Sequence, residues 1–353
     1  MNVNLITDKF DINLFLNEIK KTKILSVDTE FIREKTYYPV LSLIQIAAKN
    51  QVFIFDCLNK PYDLTNLKLI FQDVEYLKIF HDAEQDIEII NDYFSIELKN
   101  FFDTQLANAF IDLEHHISYK NLVKKYLNIE IDKELQTSNW LKRPLSNKQI
   151  RYAANDVIYL EKIYLKTSKL LSNQKKQTWY EEELENIKKE IFNKKEPRNS
   201  WKKIKINDFS VINQDLLIEL SKYREEITRE RNIPKTWFLS DKNIINLSSR
   251  KYLYLKDLKN ENLTSNRFFN SSDYSELFNK FDFSKPFNKK IKTKKHNVKK
   301  QQNILENISK EMNISQYLVA NKKDLENYFG KNKIQIKGWR KRIFEVIKAK
   351  TNE

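Results

Sequence analysis

The sequence predicts an α/β domain with a mixed sheet in the N-terminal part of the chain, followed by helical modules. Apolar runs rich in β-branched and aromatic residues first follow one another as in a meander, and then alternate with amphipathic helical stretches. Further on, apolar residues recur at helical spacing, as in Leu216–Ile233. The 353 residues, 41% of them hydrophobic, suffice for two or three domains with cores of their own.

The first predicted strand, Ile24–Phe31, carries two acids on one face. Asp28 and Glu30 are two residues apart, so their side chains point the same way from Cα atoms about 7 Å apart. Two neighbouring carboxylates repel each other unless a positive group lies between them, and a divalent cation fits that role. An isolated Asp-x-Glu pattern also fits an edge strand with a solvated acidic face. Other motifs in the chain are needed to distinguish this interpretation from a metal site.

The elements that follow are consistent with a meander that continues into alternating helices and strands. Two strands, Leu41–Ala48 and Val52–Asp56, are separated by a short turn. Apolar positions in Leu64–Phe71 predict a helix, and Leu77–Phe80 predicts a short strand. This order of elements indicates a mixed sheet with helices packed on it.

An acid-rich helix is predicted next, from residue 81 onward. Its buried stripe is marked by Ala83, Ile87, Ile90 and Phe94. Asp86 lies nearest to this stripe, and Glu84 lies only slightly farther round the helix. Periodicity therefore gives only a weak preference for Asp86 as the acid that faces the sheet. His81 is interpreted as a structural or capping residue rather than a metal ligand.

Two more helices follow this acid-rich one. Asp103, in the run Phe101–Thr104, is predicted to cap the first, because its side chain can accept hydrogen bonds from the first-turn amides. Ser118 is predicted to begin the second. The pair His115 and His116 is interpreted as surface, since adjacent side chains on a helix point apart.

The next predicted helix carries a tyrosine and an acid on one face. Ser146 and Gln149 form a capping box at its start, and its apolar stripe continues to Tyr164. Tyr152 and Asp156 are four residues apart, which brings their Cβ atoms within about 5–6 Å of each other. The pattern is weak alone, but together with the Asp-x-Glu strand and the acid-rich helix it indicates a cluster of acids.

Composition excludes several classes of site. The single cysteine, Cys57, leaves no disulfide framework and no multi-cysteine zinc site. The chain has only two glycines, Gly330 and Gly338, so neither a Walker loop nor a Rossmann fingerprint is present and no nucleotide cofactor is expected. Neither a membrane-spanning apolar run nor a signal-peptide pattern is found, so a cytoplasmic protein without membrane contact is expected.

The net charge of +15 is concentrated in the C-terminal part of the chain. Residues 1–200 contain 29 basic and 30 acidic residues, whereas residues 201–353 contain 34 basic and 18 acidic ones. This asymmetry favours a polyanionic partner, and nucleic acid is favoured over membrane because no hydrophobic anchor accompanies the charge.

At these motifs the chain resembles the ribonuclease D group of the DEDD 3′–5′ exonucleases. The segment Val27–Phe31 is similar to the first exonuclease motif, the helix of Asp86 to the second, and Tyr152–Asp156 to the third in its tyrosine form. The second motif departs a little, since small residues often surround the histidine whereas this chain has Asp82 and Ala83. Further similar segments are Thr36–Pro39, Gln45 and Ser138–Pro144.

The resemblance implies an RNase H-like 3′–5′ exonuclease domain followed by all-α HRDC-type domains. Ser221–Pro234 is similar to the HRDC module, and residues 301–353, including Gly338–Arg340, resemble a second, more diverged copy. The expected division is an exonuclease domain at residues 1–200, an HRDC domain at 201–284, a basic linker at 285–300 and the second module at 301–353. The linker contains eight lysines and no acid.

The resemblance also implies a site with two divalent metal ions, Mg²⁺ or Mn²⁺. Asp28 would contact both ions, Glu30 and Asp156 would complete the site of one, and Asp86 would hold the other. Tyr152 would orient the attacking water. The implied catalytic residues are therefore Asp28, Glu30, Asp86, Tyr152 and Asp156.

The activity implied is that of a 3′–5′ exoribonuclease that trims the 3′ ends of tRNA precursors and other structured RNAs and releases nucleoside 5′-monophosphates. A DNA exonuclease of the same chemistry and a non-catalytic RNA-binding scaffold remain as alternatives. The complete set of acids speaks against the scaffold, because binding alone does not require it. A monomer is expected.

Overall fold

The structure is a computed structural model that describes residues 1–6, 9–58, 63–131, 138–193, 196–206, 212–260, 271–284, 297–330 and 335–352. Its central feature is a six-stranded mixed sheet, with the strands in the order β1-β4-β3-β2-β5-β6. The strands are β1 (Asn2–Ile6), β2 (Ile24–Ile32), β3 (Val40–Ala48), β4 (Gln51–Asp56), β5 (Leu77–Phe80) and β6 (Phe101–Asp103).

The strand pairings explain why the sheet is mixed. β3 and β4 pair antiparallel, as the short turn between them requires, whereas β1 pairs parallel with β4. On the other side of the sheet, β2 pairs parallel with β5, and β5 pairs parallel with β6. The nearly continuous buried residues of β3 and β4 are typical of interior strands covered on both faces.

Helices precede, separate and follow these strands. In the first half of the chain they are α1 (Lys9–Ile19), α2 (Thr65–Gln72), α3 (Glu84–Phe94), α4 (Thr104–Ile111), α5 (Tyr119–Leu127), α6 (Asn147–Asn155), α7 (Leu160–Asn173) and α8 (Gln177–Asn193). A 3₁₀ helix at Pro197–Lys203 is followed by α9 (Gln214–Glu230), α10 (Lys235–Phe238), α11 (Asp241–Ser249), α12 (Leu255–Asn260), α13 (Ser271–Lys280), α14 (Lys299–Met312), α15 (Gln316–Val319), α16 (Lys322–Phe329) and α17 (Trp339–Asn352). The predicted fold class, a mixed sheet flanked by helices and followed by a helical region, is confirmed.

Several elements were not predicted from the sequence, and β1 and α1 are the first of them along the chain. β1 contains Asn2 and Asn4, which have low strand propensity, and the strand is defined by pairing with β4 some fifty residues later. Phe15 of α1 then packs edge-on against Phe53 and Phe55 of β4, with ring centroids 5.1 and 5.0 Å apart.

The helix expected from Ser146 to Tyr164 is wrong in one respect, because the structure divides it into α6 and α7. α6 ends at Asn155, and Asp156 is its C-cap residue. The backbone N–H of Tyr159 donates to the hydroxyl of Tyr119, 3.3 Å away, at the start of α7. The apolar stripe continues across the break because Val157 and Leu160 are buried on either side of it.

The chain forms two compact units. One contains residues 1–32, 41–187 and 295–353, and therefore includes the sheet; the other contains residues 33–40 and 188–294. The second unit has its own apolar core around α9, α10 and α11, in which Tyr223 packs against Phe238 with ring centroids 5.8 Å apart. The four predicted domain segments remain a prediction, and most of the expected basic linker, residues 285–296, lies outside the described residues.

Within the second unit, the segment 33–40 is fastened by α9 and the residues that follow it. The Tyr37 hydroxyl donates to Glu225 and accepts from Nε of Arg229 at 2.9 Å. Oδ1 of Asn232 accepts from the backbone N–H groups of Tyr37 and Tyr38 at 3.1 and 3.2 Å.

None of the helices in the described ranges is both long enough and apolar enough to cross a bilayer.

Candidate active site

Three carboxylates from two distant parts of the chain meet at one edge of the sheet. Asp28 and Glu30 lie on β2, and Asp156 caps the C-terminus of α6. One oxygen from each carboxylate lies within 4.8 Å of the other two, close enough for a single metal ion to contact all three. Each of the three side chains is only partly buried, so the group faces accessible space.

The register of β2 explains why its two acids are free of strand neighbours on one side. β2 pairs with β5 only from Ile24 to Ser26. Asp28 and Glu30 therefore lie beyond the end of this pairing, where the chain leaves β5 toward α3. The carboxyl ends of parallel strands are the usual position for ligand sites in such sheets.

Tyr152 and Asp156 share one face of α6, as their four-residue spacing predicts. The Tyr152 hydroxyl is hydrogen-bonded to the Asp156 carboxylate. The start of α6 is fixed by the predicted capping box, in which Ser146 Oγ accepts from Gln149 N and Gln149 Oε1 accepts from Ser146 N. A well-anchored short helix thus presents both side chains toward the acids of β2.

Asp86, on the first turn of α3, is buried, with only 8% of its surface exposed. Its Oδ1 accepts a hydrogen bond from the hydroxyl of Thr29, the residue between the two acids of β2. Asp86 is outside the group of three mutually close carboxylates, but its negative charge raises the pKa of both Asp28 and Glu30. It therefore acts electrostatically on the two acids of β2 without being one of the three mutually close carboxylates.

The electrostatics of the cluster are those of acids crowded together away from water. Loss of hydration, followed by the charges of Asp86, Asp156 and Glu30, raises the pKa of Asp28 well above its usual range. Loss of hydration and the charges of Asp156 and Asp86 raise the pKa of Glu30 to about 9. Burial raises the pKa of Asp86 to about 7, although the hydrogen bond from Thr29 opposes this change.

The same carboxylates affect the pKa of Tyr152. Burial, then the charges of Asp156, Glu30 and Asp28, raises the pKa of its hydroxyl above the usual value. The group therefore stays protonated at neutral pH, so it acts as a hydrogen-bonding hydroxyl there.

Asp103 fixes the position of α3 and α4, and it caps α4 as predicted. Its Oδ1 accepts from the backbone N–H groups of Gln105 and Leu106 at 2.8 and 3.1 Å, and its Oδ2 accepts from Ala83 N at 2.9 Å. Asp82 N donates to the same carboxylate at 3.2 Å, in a turn where Asp82 has φ +60°. The acid-rich helix accordingly begins at Glu84, later than predicted, because this turn precedes it.

His81 has a structural role, as predicted. Its Nδ1 lies 3.0 Å from Thr104 Oγ1, and its Nε2 lies 3.0 Å from the carbonyl oxygen of Ile117. His116 is exposed as predicted, whereas His115 is half-buried, with its ring centroid 6.2 Å from that of Tyr317. The expectation that the two rings point apart on a helix is wrong, because both residues lie outside the helices and their ring centroids are 4.2 Å apart.

Four of the predicted site residues, Asp28, Glu30, Tyr152 and Asp156, line an open cleft of about 340 Å³, whereas Asp86 is not among its lining residues. Sequence reasoning missed several of its members, because nothing in their local pattern marks them as part of a site. Tyr119 is the clearest of them: its hydroxyl donates to the carbonyl of Asn155, next to Asp156, at 3.1 Å. The lining residues are Asp28, Thr29, Glu30, His81, Asp82, Gln105, Ser118, Tyr119, Lys120, Ile131, Tyr152 and Asp156.

The donor set fits a divalent metal ion of the hard type. Carboxylate oxygens are the ligands that Mg²⁺ and Mn²⁺ prefer, and both ions retain water in open sites. A cation would also offset the repulsion that raises the pKa of Asp28 and Glu30. The cleft can therefore hold a cation and leave room for a ligand beside it.

Comparison with known proteins shows matches over most of this chain. The family model for 3′–5′ exonucleases matches residues 3–172. The chain is 32% identical over 260 residues to ribonuclease D of Desulfotalea psychrophila, which is 73% of this chain and 69% of that protein. It is 30% identical over 257 residues to ribonuclease D of Bartonella henselae, covering 73% and 63% of the two chains. The matched part spans 62–66% of the length of the first three curated relatives, slightly less than two thirds.

Among solved structures, the fold is similar to the crystal structure of Escherichia coli RNase D, with a TM-score of 0.82 and 23% identity over 99% of this chain and 98% of that chain. It is also similar to the catalytic core of RRP6 from Trypanosoma brucei, with a TM-score of 0.55 and 19% identity over 78% of each chain. At these levels of sequence identity, the similarity to the two structures is a similarity of fold.

Proposed function

The chain belongs to the ribonuclease D family, and from this premise we propose that it is a metal-dependent 3′–5′ exoribonuclease. The observation that carries the proposal is the meeting of Asp28, Glu30 and Asp156 within 4.8 Å of one another. The Tyr152 hydroxyl is bonded to the last of these acids, and Asp86 lies beside the first two. This combination of groups suits hydrolysis of a phosphodiester bond.

We propose that two divalent cations, Mg²⁺ or Mn²⁺, bind at this site. Asp28 would contribute to both, Glu30 and Asp156 would hold one, and Asp86 would hold the other. Two such ions supply an activated water, neutralise charge on the phosphate and stabilise the leaving oxygen.

The side chains of the cleft have distinct tasks in this proposal. Tyr152 stays protonated, so its hydroxyl can hold the attacking water by a hydrogen bond while it remains bonded to Asp156. Thr29 orients the Asp86 carboxylate through its own hydroxyl. Lys120, which lines the cleft, provides a positive charge that can contact a phosphate of the substrate.

The proposed substrate is RNA with an accessible 3′ end, with tRNA precursors as the natural candidates. Two observations support this choice. The Escherichia coli relative of similar fold is described as an exoribonuclease involved in structured RNA processing. The excess of basic over acidic residues in positions 201–353 suits the attraction of a folded polyanion.

The remaining parts of the proposal follow from the same family. Residues 201–284 and 301–353 would be HRDC-type modules joined by the basic segment 285–300. The chain would act as a monomer in the cytoplasm.

The test is hydrolysis of 5′-labelled RNA and DNA strands of the same sequence by the intact chain with Mn²⁺ or Mg²⁺. We expect stepwise shortening of the RNA from its 3′ end with release of nucleoside 5′-monophosphates. A 3′-phosphate should block the reaction, and Asp28→Asn serves as the inactive control. Faster hydrolysis of the DNA would favour the DNA exonuclease. RNA binding without hydrolysis in the presence of either metal would favour the scaffold.

A further inference from the structure

The loop that leads into α6 is not used by the proposed chemistry, although it contacts Tyr152. Trp140 lies in this loop and is almost fully buried, at 3% exposure. Its ring centroid lies 5.9 Å from that of Tyr152, with the planes inclined at 45°. The indole therefore backs the tyrosine whose hydroxyl contacts Asp156.

One side chain, Arg143, fastens this loop to the sheet. Its Nε and Nη2 donate to the two oxygens of Asp56, the last residue of β4, at 2.5 and 2.8 Å. Nη2 also donates to Ser42 Oγ of β3 at 3.1 Å. Nη1 donates to the backbone carbonyl of Trp140 at 2.7 Å and to that of Lys142 at 2.9 Å. A planar guanidinium can satisfy all of these partners at once, which an ammonium group cannot.

The loop is also tied from its other side. Ser42 Oγ donates to the Trp140 carbonyl at 2.6 Å. Gln149, within α6, donates through Nε2 to Ser138 Oγ at 2.9 Å and to the carbonyl of Asn139 at 3.3 Å. Trp140 is thus held between the sheet, through Arg143, and the helix that carries Tyr152.

We propose that Arg143 is a positioning residue for Tyr152, acting through Trp140. Tyr152 is half-buried at the wall of an open cleft, so its ring can swing away from Asp156 unless a rigid group supports it. The indole of Trp140 gives that support, and Arg143 holds the backbone of Trp140 in place. This inference rests on the proposed function, because it assigns Tyr152 a role in hydrolysis.

The first measurement is the rate of RNA hydrolysis by the intact chain carrying Arg143→Lys. The variant keeps the positive charge but cannot make the paired hydrogen bonds to Asp56 and the backbone. We expect kcat to fall about 10- to 100-fold, as a small misplacement of a reacting group does, with KM changed less than about twofold. Arg151→Lys, at an exposed position of α6, is the matched control and should keep the wild-type rate.

A double-variant cycle separates positioning from general stability. In a Tyr152→Phe background the hydroxyl is already gone, so Arg143→Lys should lower kcat no further. If Arg143 only stabilises the fold, the two reductions will multiply, and that result would overturn the proposal. Trp140→Phe keeps a supporting ring and should retain most of the rate, whereas Trp140→Leu should behave like Arg143→Lys. Equal rates for these two Trp140 variants would also overturn it.

A measurement that needs no activity distinguishes failure of this inference from failure of the proposed function. In protein labelled with 3-fluorotyrosine, the ¹⁹F signal of Tyr152 is identified by its loss in Tyr152→Phe. Arg143→Lys should shift or broaden this signal, and Arg151→Lys should leave it unchanged. An unaltered signal would overturn the inference even if the protein hydrolyses RNA. If Arg143→Lys shifts the signal but the wild-type protein hydrolyses no RNA, the positioning role of Arg143 is supported and the proposed exonuclease activity is rejected.

Discussion

Trp339 stacks on Trp179, with ring centroids 5.5 Å apart and planes inclined at only 19°. Trp339 begins α17, near the C-terminus, whereas Trp179 lies on α8. The indole of Trp339 also meets Phe110 of α4 edge-on at 5.2 Å, and its Nε1 donates to Glu183 at 3.3 Å. The last helices of the chain therefore share a core with the unit that contains the sheet.

Backbone groups strengthen this contact. Gly338 has φ +63°, a backbone conformation that favours glycine, and an added Cβ would lie 1.4 Å from Oε1 of Glu182, so that this carboxylate would have to move. The ammonium group of Lys176 donates to the carbonyls of Phe110, Met312 and Asn313 at 2.8, 2.6 and 2.9 Å. Lys176 thus links the C-terminus of α14 to the end of α4.

We predict that Trp339→Ala lowers the free energy of unfolding of this unit by about 3–5 kcal/mol, as expected for loss of a large buried aromatic side chain. Tyr317→Ala is the control, because Tyr317 is 63% exposed and belongs to the same C-terminal segment; its effect should stay within about 0.5 kcal/mol. Urea denaturation followed by circular dichroism measures both. Similar midpoints for Trp339→Ala and wild type would show that the C-terminal helices do not contribute to this core.

The acid cluster gives a second prediction. Asp28→Asn and Asp156→Asn should each abolish RNA hydrolysis, because each removes a ligand of the proposed ions. EDTA should stop the wild-type reaction, and Mn²⁺ should restore it. Asp215→Asn, at an exposed position of α9, should keep the wild-type rate. Circular dichroism will show whether the inactive variants remain folded. Full activity of Asp28→Asn would reject the assignment of the metal site.

Tyr152→Phe should reduce kcat more than it changes KM. A side chain that positions the attacking water contributes about 10²–10⁴-fold to the rate. Steady-state kinetics on a short single-stranded RNA measure the two constants separately. If the phenylalanine variant turns over at the wild-type rate, the tyrosine contributes only packing and the acids carry the chemistry without it.

The raised pKa values predict how stability depends on pH. The folded-state pKa of Glu30 is about 9, well above its ordinary value, so folding favours the protonated acid. Its contribution is fully present below about pH 4 and is lost as the pH rises toward 9. In EDTA, the melting temperature should therefore decrease from pH 5 to pH 9.

Bound metal should counteract this decrease of the melting temperature with rising pH. A divalent cation competes with protons for the same oxygens, so the increase in melting temperature caused by Mg²⁺ should be larger at pH 8 than at pH 5. Glu30→Gln should show a smaller decrease with pH in EDTA than wild type, and Glu114→Gln, at an exposed position, should match wild type. The same pH dependence in all three proteins would mean that Glu30 ionises normally.

The basic segment is best tested in the intact chain, because residues 295–353 belong to the unit that contains the sheet. Four lysines of the segment 285–300 can be replaced by glutamine, namely Lys289, Lys290, Lys294 and Lys295. The slope of log affinity for single-stranded RNA against log salt concentration should become shallower by about 0.7 for each phosphate group that these lysines bind in the wild type. The control replaces Lys21, Lys124, Lys310 and Lys322, which are exposed and lie outside the segment. Equal slopes for the two variants would show that the segment does not contact RNA.

Local sequence patterns were sufficient for much of the candidate site. Alternation along β2 places Asp28 and Glu30 together, and the spacing of four places Tyr152 beside Asp156. Both are properties of a single element, so they need no knowledge of the rest of the fold. The capping signals of Ser146 and Asp103 are equally local, and both are present in the structure.

Other features could not be read from local patterns. The helical periodicity could not decide whether Glu84 or Asp86 belongs to the site. In the structure it is Asp86 that accepts a hydrogen bond from Thr29. The break between α6 and α7 was missed because the apolar stripe continues across it. β1 was missed because its pairing with β4, rather than its own composition, defines it.

The sequence by itself determined the elements that carry the acids and the excess of positive charge in the C-terminal part. Only the tertiary structure decided which of those elements meet. The bond from Thr29 to Asp86 joins residues 57 positions apart, Arg143 reaches Asp56 across 87, and Trp339 reaches Glu182 across 157. Such contacts depend on how whole helices and strands pack, and the periodicity of one segment carries no information about a partner that distant.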